Sequence, residues 1–224
     1  MSIKYYGEPG SMPCRTVEYC LKKLGIEHEY IETLAFTGTG TEEFKKINPI
    51  AKIPVIVDGD YILRESWAIA QYLCENYEGG DKLLPKDDPK TKASVIQWLF
   101  WNTGEAKDAI NPAVRALVVY PFFFKTPLPD EEEAKKLIDA VNEKISLLND
   151  QLTQTTWLAG EEFSVADVHL FNEFDTSKTM LKLDLSPYPK FEAWYEACMK
   201  DEILADLSAK AIESIGSRLE GYGT

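Results

Sequence analysis

The sequence is poor in the residues that build metal centres and in positive charge. It has two histidines in 224 residues, and its four cysteines (Cys14, Cys20, Cys74 and Cys198) form neither a CxxC pair nor any metal-ligand spacing. A zinc site is therefore not expected, no metal is assigned, and reduced thiols fit a cytoplasmic compartment. Acidic residues outnumber basic ones by 37 to 24, for a net charge of −13. That balance argues against nucleic acid and against an anionic membrane surface as partner. No apolar run approaches the ~20 residues that span a bilayer. The opening MSIKYYGEPGS lacks the apolar core of a signal peptide. What is present is an ordinary globular composition, 45% hydrophobic and 27% charged, in a chain long enough for one large domain or two smaller ones.

The stretch from Asn48 to Leu73, NPIAKIPVIVDGDYILRESWAIAQYL, organises the rest. Val55, Ile56 and Val57 are strand formers, Asp58-Gly59 is a two-residue hairpin turn, and Tyr61, Ile62 and Leu63 return as the partner strand. From Ser66 the apolar residues fall at Ala68, Ile69, Tyr72 and Leu73, which is helical spacing with a serine in the N-cap place. Pro54 heads the first of these strands, where its missing N–H is tolerated, and proline permits a cis peptide. A cis Ile53-Pro54 bond is expected, because it turns the Ile53 N–H and C=O toward solvent, where an extended peptide can pair with them. Backbone strain is expected at Glu65, on the sharp strand-to-helix junction.

Ahead of this stretch, Ile3 to Tyr6 is a short β-run broken by Gly7, Pro9 and Gly10. Ser11 then precedes Pro13, and a helix carries Val17, Cys20, Leu21 and Leu24 on one stripe before Gly25 ends it. Tyr30 and Ile31 belong to a second strand, and Thr41 to Ile47 reads as a short helix stopped by Asn48-Pro49. The order β-α-β-α-β-β-α over residues 1–79 predicts an α/β, thioredoxin-like domain. Residues 77–92 are rich in glycine, proline and charge around one Leu-Leu plug, which places a linker at 80–88. Over 89–224 no strand pattern recurs, and an all-α domain is predicted. Its helix starts are marked by Pro89, by Asp130, by Ser164 with Asp167 as a capping box, and by Pro189, and Ile203 to Ile212 makes the last helix.

Four motifs carry a family resemblance: YYGEPGSMPCR, the NPIAKIPVIV-DG stretch, the RES tripeptide before an amphipathic helix, and FSVADVHLF in the helical domain. Together, in this order and spacing, they resemble a cytosolic glutathione transferase of the serine-type classes (theta, delta, phi), over nearly the whole chain. The resemblance implies a thioredoxin-like glutathione-binding domain, a helical domain lining a pocket for an apolar electrophile, and a homodimer. It implies no cofactor, glutathione being the co-substrate. Peroxidase activity is a second activity that it allows.

The resemblance also implies roles. Ser11, at a helix N-terminus, would donate its hydroxyl to the glutathione thiolate, with the helix dipole adding positive potential. Tyr5 is the rival donor, since other classes of the family use a tyrosine near the end of the first strand. Glu65 and Ser66 resemble the pair that grips the γ-glutamyl end, and Ile53, set by Pro54, would pair main chain to main chain with the cysteinyl unit. Lys52 either meets the glycyl carboxylate or is a solvated surface residue. The family departures are Ala51, where relatives place a histidine, and Trp67, where an arginine is common.

The electrophile side would include Met12, Leu117 and Tyr120. The aromatic run Val118 to Phe124 suits either a pocket wall or a core or dimer surface. Cys14, three residues past Ser11, opens a second reading as the thiol of a thiol-disulfide oxidoreductase, though packing is the better expectation. A third reading keeps the fold as a non-catalytic binding or structural protein. His169 is expected to be a satisfied core residue. Trp67, Trp98 and Trp101 exceed what one small core needs, so a dimer is expected through the first helix of the α-domain and the Glu65–Tyr77 helix.

Overall fold

In a computed structural model, which describes residues 2–35 and 37–221, the first strand β1 (Ile3–Gly7) buries Ile3, Tyr5 and Gly7 and exposes Lys4. This is the period of two expected of a sheet with one covered face. A side chain at Gly7 would collide with the Tyr5 hydroxyl, so the strand can close here only on glycine. After the Glu8–Gly10 break, Ser11 adopts extended backbone and α1 (Met12–Lys23) begins with Pro13 in its first turn. Val17, Cys20 and Leu21 are buried, and Gly25, at φ +62°, ends the helix as predicted.

Strand β2 (His28–Glu32) and helix α2 (Glu42–Ile47) follow, with the Thr41 hydroxyl accepting the Phe44 N–H as cap. The hairpin β3 (Val55–Asp58) and β4 (Tyr61–Arg64) turns at Gly59, whose φ is +63°. The sheet order is β2-β1-β3-β4, parallel between β1 and β2 and antiparallel elsewhere. Helix α3 (Ser66–Asn76) completes the thioredoxin-like unit. One detail differs from expectation: the cap position belongs to Glu65, and Ser66 is the first helical residue. The serine lies one step inside because Glu65 takes the turn's strained conformation itself.

Leu83 and Leu84 are buried as the plug of the connecting stretch, and the Leu83 carbonyl accepts the Val165 N–H at 3.0 Å. Beyond it the elements are helical: α4 (Pro89–Trp101), α5 (Lys107–Val114), α6 (Tyr120–Phe124), α7 (Glu131–Gln151), α8 (Val165–Leu181), α9 (Pro189–Cys198) and α10 (Glu202–Gly221). Two π-turns, Asn102–Ala106 and Arg115–Val119, join α4, α5 and α6 end to end. None of the described helices is long and apolar enough to cross a membrane.

Helix α8 is the centre of this half, since every residue from Val165 to Ser177 is buried. Its start is the predicted capping box, and Asp167 also accepts the Leu158 N–H at 3.0 Å and the Trp194 indole N–H at 2.9 Å. A helix buried all round must satisfy its polar side chains internally. It does so in part, mostly against α1, while Asn172 Oδ1 and both Glu173 carboxylate oxygens have no hydrogen-bond partner among the described residues. Arg15 donates to Asp175 at 2.7 Å, to the Asn172 carbonyl at 2.6 Å and to the Thr176 hydroxyl. Asp175 in turn accepts from Tyr195 at 2.8 Å and Ser208 at 2.9 Å, which brings α9 and α10 into the same network.

Removing one partner of a fully buried ion pair strands the other charge, at a cost of about 3–5 kcal/mol. Arg15→Met is expected to lower unfolding stability by that amount in urea titration, and Arg15→Met with Asp175→Leu by clearly less. Equal losses for the single and double variants would show that the charge pair is not what holds α1 to α8.

Candidate functional site

The register of the sheet decides which loops meet. Tyr6 of β1 stands opposite Val55 of β3, and Val55 stands opposite Arg64 of β4. β1 therefore leaves the sheet toward Ser11 at the same end where the chain enters β3 from Ile53-Pro54 and leaves β4 toward Glu65. Three segments distant in sequence open side by side at one end of the sheet.

At the first of them, Ser11 is half-buried, and its hydroxyl makes no capping bond to the helix. Its carbonyl accepts the Arg15 N–H at 3.1 Å, so the Arg15 anchor and the Ser11 backbone belong to one turn. Tyr5 is fully buried and its hydroxyl donates to the Cys14 carbonyl at 2.7 Å. Burial, followed by the neighbouring Cys14, pushes the Tyr5 phenol well above its ordinary range. Cys14 is likewise fully buried, and burial pushes its thiol up to about 12 although a hydrogen bond from Ser11 pulls the other way. A thiol that stays protonated and has no access to solvent is a packing residue. The disulfide-exchange reading of Cys14 thus loses its physical basis, and Tyr5 has its hydroxyl committed elsewhere.

At the second segment the Ile53-Pro54 bond is cis, as expected. Pro54 is buried and Ile53 half-buried. The approach is shaped by Asn48, whose side-chain amide donates to the Lys52 carbonyl at 2.6 Å, and by Ala51, at φ +51°. The Lys52 residue is exposed.

At the third, Glu65 has φ +68° and ψ +113°, a conformation that L-residues with side chains rarely hold. The expected strain is there. Glu65 is exposed, and its carboxylate has no hydrogen-bond or ion-pair partner among the described residues. Ser66, by contrast, is buried at the first turn of α3, where main-chain N–H groups have no helical partner. A carboxylate beside free helix N–H groups suits a ligand end that carries both an ammonium and a carboxylate.

On the helical side, Met12 is half-buried directly after Ser11, and Leu117 packs against the core from the second π-turn. Tyr120 is 43% exposed, with Phe124 edge-on at 5.9 Å. A groove lined by Trp157, Glu161, Lys190 and Trp194 belongs to α9 and the loop after α7, elements that carry none of the three segments.

Several residues of this region were marked in the sequence, but not the contacts they make with one another. Trp67 donates its indole N–H to Thr103 at 3.1 Å, stacks on Phe100 at 6.3 Å and lies 5.1 Å from the His169 ring. Trp98, grouped with it as surplus aromatic, is instead core at 9% exposure. The exposed aromatic of α4 is Phe100, at 74%. His169 is buried as expected, with Nδ1 at 2.9 Å from the Thr16 hydroxyl, but it is only half satisfied, since Nε2 is buried without a hydrogen-bond partner among the described residues. The clue to this polar seam was the number of polar residues on α8, a helix that otherwise reads as core.

A thioredoxin-like sheet presenting a serine, a cis-proline strand start and a strained glutamate, with an all-helical domain packed beside it, defines a class of two-domain enzymes. Residues 6–81 match the family described as "Glutathione S-transferase, N-terminal domain", and residues 112–202 match "Glutathione S-transferase, C-terminal domain". The chain is 32% identical over 210 residues to Glutathione S-transferase D6 of Drosophila melanogaster, covering 91% of this chain and 93% of that one. It is 30% identical over 196 residues to Glutathione S-transferase theta-3 of Mus musculus, covering 87% and 80%. Among solved structures, a delta-class glutathione transferase of Nilaparvata lugens superposes with a TM-score of 0.83 at 31% identity, covering 98% of this chain and 99% of that one. This chain belongs to the glutathione S-transferase family, and its relatives support a transferase function.

The seam beside Trp67 has a pH signature. Burial, and secondarily the Lys107 charge, lower the His169 pKa from 6.5 to about 3. The imidazole is neutral in the fold, whereas the unfolded chain binds its proton below about 6.5. Stability contributed by neutral His169 is full above that value and is lost as the pH falls toward 3, by up to about 1.4 kcal/mol per pH unit. Denaturant midpoints across that window are expected to fall less steeply for His169→Gln than for wild type. Parallel curves would refute the assignment.

Proposed function

We propose that this protein conjugates the glutathione thiolate to small apolar electrophiles, and that Ser11 stabilises the thiolate. The observation that carries the reading is the line Tyr6–Val55–Arg64, which opens the Ser11, Ile53-Pro54 and Glu65-Ser66 segments at one end of the sheet. In this reading Glu65 takes the γ-glutamyl ammonium, while Ser66 and the free N–H groups of α3 take its carboxylate. The Ile53 main chain pairs with the cysteinyl unit from a strand start preset by Pro54. Lys52, exposed beside that strand start, meets the glycyl carboxylate.

The chemistry then follows from position. A free thiol titrates near 8.5 or above and is mostly protonated at neutral pH. A hydrogen bond from the Ser11 hydroxyl, together with the N-terminal potential of α1, favours the anion, and the proton leaves to solvent. The thiolate sulfur attacks the electrophilic carbon, forming a C–S bond as the leaving group departs with its electron pair. Met12, Leu117 and Tyr120 supply the apolar side against which the electrophile rests. The protein acts as a homodimer, a reading supported by Phe100 of α4, an exposed aromatic stacked on Trp67 of α3.

Hydrogen bonds to a charged group are worth about 1.5–3 kcal/mol, so Ser11→Ala should slow conjugation near neutral pH roughly ten- to a hundredfold. The loss should shrink at alkaline pH, and retention on immobilised glutathione should persist, since Glu65, Ser66 and Ile53 grip the peptide elsewhere. Cys14→Ser and Tyr5→Phe should leave the rate near wild type. Loss of activity in Cys14→Ser with Ser11→Ala unaffected would replace conjugation with disulfide exchange. Loss in Tyr5→Phe alone would move the donor to the tyrosine, and a wild type that turns over neither electrophile nor disulfide would make the protein a non-catalytic family member.

Sedimentation of the wild type should give a two-chain species at micromolar concentration, and Phe100→Glu should shift it toward one chain. A single-chain wild type would remove the dimer from the proposal.

A further inference from the structure

We propose that the last turns of α10 form a strap across the loop before Ser11, fastened by the ion pair between Glu8 and Arg218, and that this pair positions the wall the electrophile meets. The inference rests on the conjugation reading for its substrate, but the strap itself is read from geometry.

Helix α10 runs antiparallel along α1. Near its start, Asp201 accepts from Lys23 at 2.8 Å and from Tyr19 at 3.1 Å, and Asp206 accepts from Lys22 at 3.1 Å, all from the second half of α1. At its other end the helix reaches the opposite end of α1. Arg218 Nη2 lies 2.7 Å from Glu8 Oε2, and a Cβ added to Gly10 would sit 3.5 Å from Ile215 Cγ1 and 3.6 Å from Ser214 Oγ. The last turns thus lie over the residue next to Ser11.

Burial divides the helix in two. Leu204, Leu207, Ser208 and Ala211 are buried, but from Ile212 to Arg218 every side chain is exposed or half-exposed. A helix end without buried apolar contacts belongs to the low-stability part of a structure and stays in place through the few strong contacts it makes. Among the described side chains of this segment, the ion pair to the rest of the fold is Glu8–Arg218. Glu8 is only 5% exposed and is fixed from two other sides: its carboxylate also accepts the Ala35 N–H at 3.1 Å, and its carbonyl accepts the Ser11 N–H at 3.2 Å. The acidic partner is therefore built into the Ser11 loop, and the basic partner is carried by the exposed end of α10.

Arg218 is thus a positioning residue. Because it is partly exposed, its pair weakens as salt rises, whereas the buried Arg15–Asp175 pair is much less screened. Releasing the pair should free the segment from Ile212 onward and loosen the wall facing the electrophile, while Ile53, Glu65 and Ser66, the residues assigned to gripping the glutathione peptide, make no hydrogen bond or ion pair with either partner among the described residues.

The test uses the full chain as wild type, Arg218→Ala and Arg218→Lys. In Arg218→Ala, amide hydrogen exchange over residues 212–218 should accelerate about fivefold, the scale of one partly exposed charge pair, with residues 204–211 unchanged. KM for a chlorodinitrobenzene-type electrophile should rise about as much, while KM for glutathione stays the same. Arg218→Lys should recover part of both effects, and molar salt should move wild-type exchange toward that of the alanine variant. Unchanged exchange in Arg218→Ala overturns the strap. Accelerated exchange with both KM values moving together overturns its role at the electrophile wall. A wild type without turnover defeats the conjugation reading, while the exchange and salt measurements still decide the strap.

Discussion

The buried pair of Arg15 and Asp175 is the constraint on which the rest depends. Both side chains are withdrawn from water, the guanidinium at 0% and the carboxylate at 1% exposure. Such a pair is tolerable only when the remaining donors and acceptors are also occupied. Here Thr176, the Asn172 carbonyl, Tyr195 and Ser208 fill most of those places, which pulls α8, α9 and α10 into one arrangement around a residue of α1. Since the Arg15 N–H closes the first turn of α1 on the Ser11 carbonyl, the helical domain and the Ser11 backbone are aligned by the same residue. The pair therefore contributes orientation as much as stability.

Much of the thioredoxin-like half was legible in the sequence because its signals are local. The Asp58-Gly59 turn, the Pro54 strand start and the change of period at Ser66 each depend on neighbours a few residues away, and the strain at Glu65 could be inferred from the same junction. Helix starts at Asp130 and Ser164 were legible for the same reason, since a cap is a contact across two or three positions, and those at Pro89 and Pro189 because proline suits the first helical turn. Ser66 was displaced by one step, because whether a residue caps a helix or begins it depends on a backbone angle that composition does not reveal.

What could not be read was long-range or out of phase. Arg15 finds Asp175 across 160 residues, and Arg218 finds Glu8 across 210, and nothing in local pattern connects either pair. Trp98 reads as surplus aromatic in the sequence because only the assembled core shows which tryptophan it takes in. Between Trp101 and Asp130, each π-turn adds a residue to a helical turn and rotates every later side chain by about 100° relative to the ones before. A stripe that crosses such a turn breaks on paper although the rod of α4, α5 and α6 continues in space. Leu117 and Tyr120 sit beyond both changes of direction or within the second, which is why the aromatic run could not be assigned to a face.

The left-handed backbone of Glu65 has an evolutionary consequence. A glycine at that position would relax the main chain and raise stability, yet it would discard the carboxylate that the proposed ligand grip requires. A neutral side chain would keep the strain and lose the charge, and aspartate would keep the charge but hold it one methylene short of the same reach. Selection for robustness and selection for binding thus pull this single residue in opposite directions, so the fold cannot be hardened here without blunting its use. Thermal stabilisation of the protein has to be sought at a distance from the β4–α3 junction, in the caps and surfaces of the helical half.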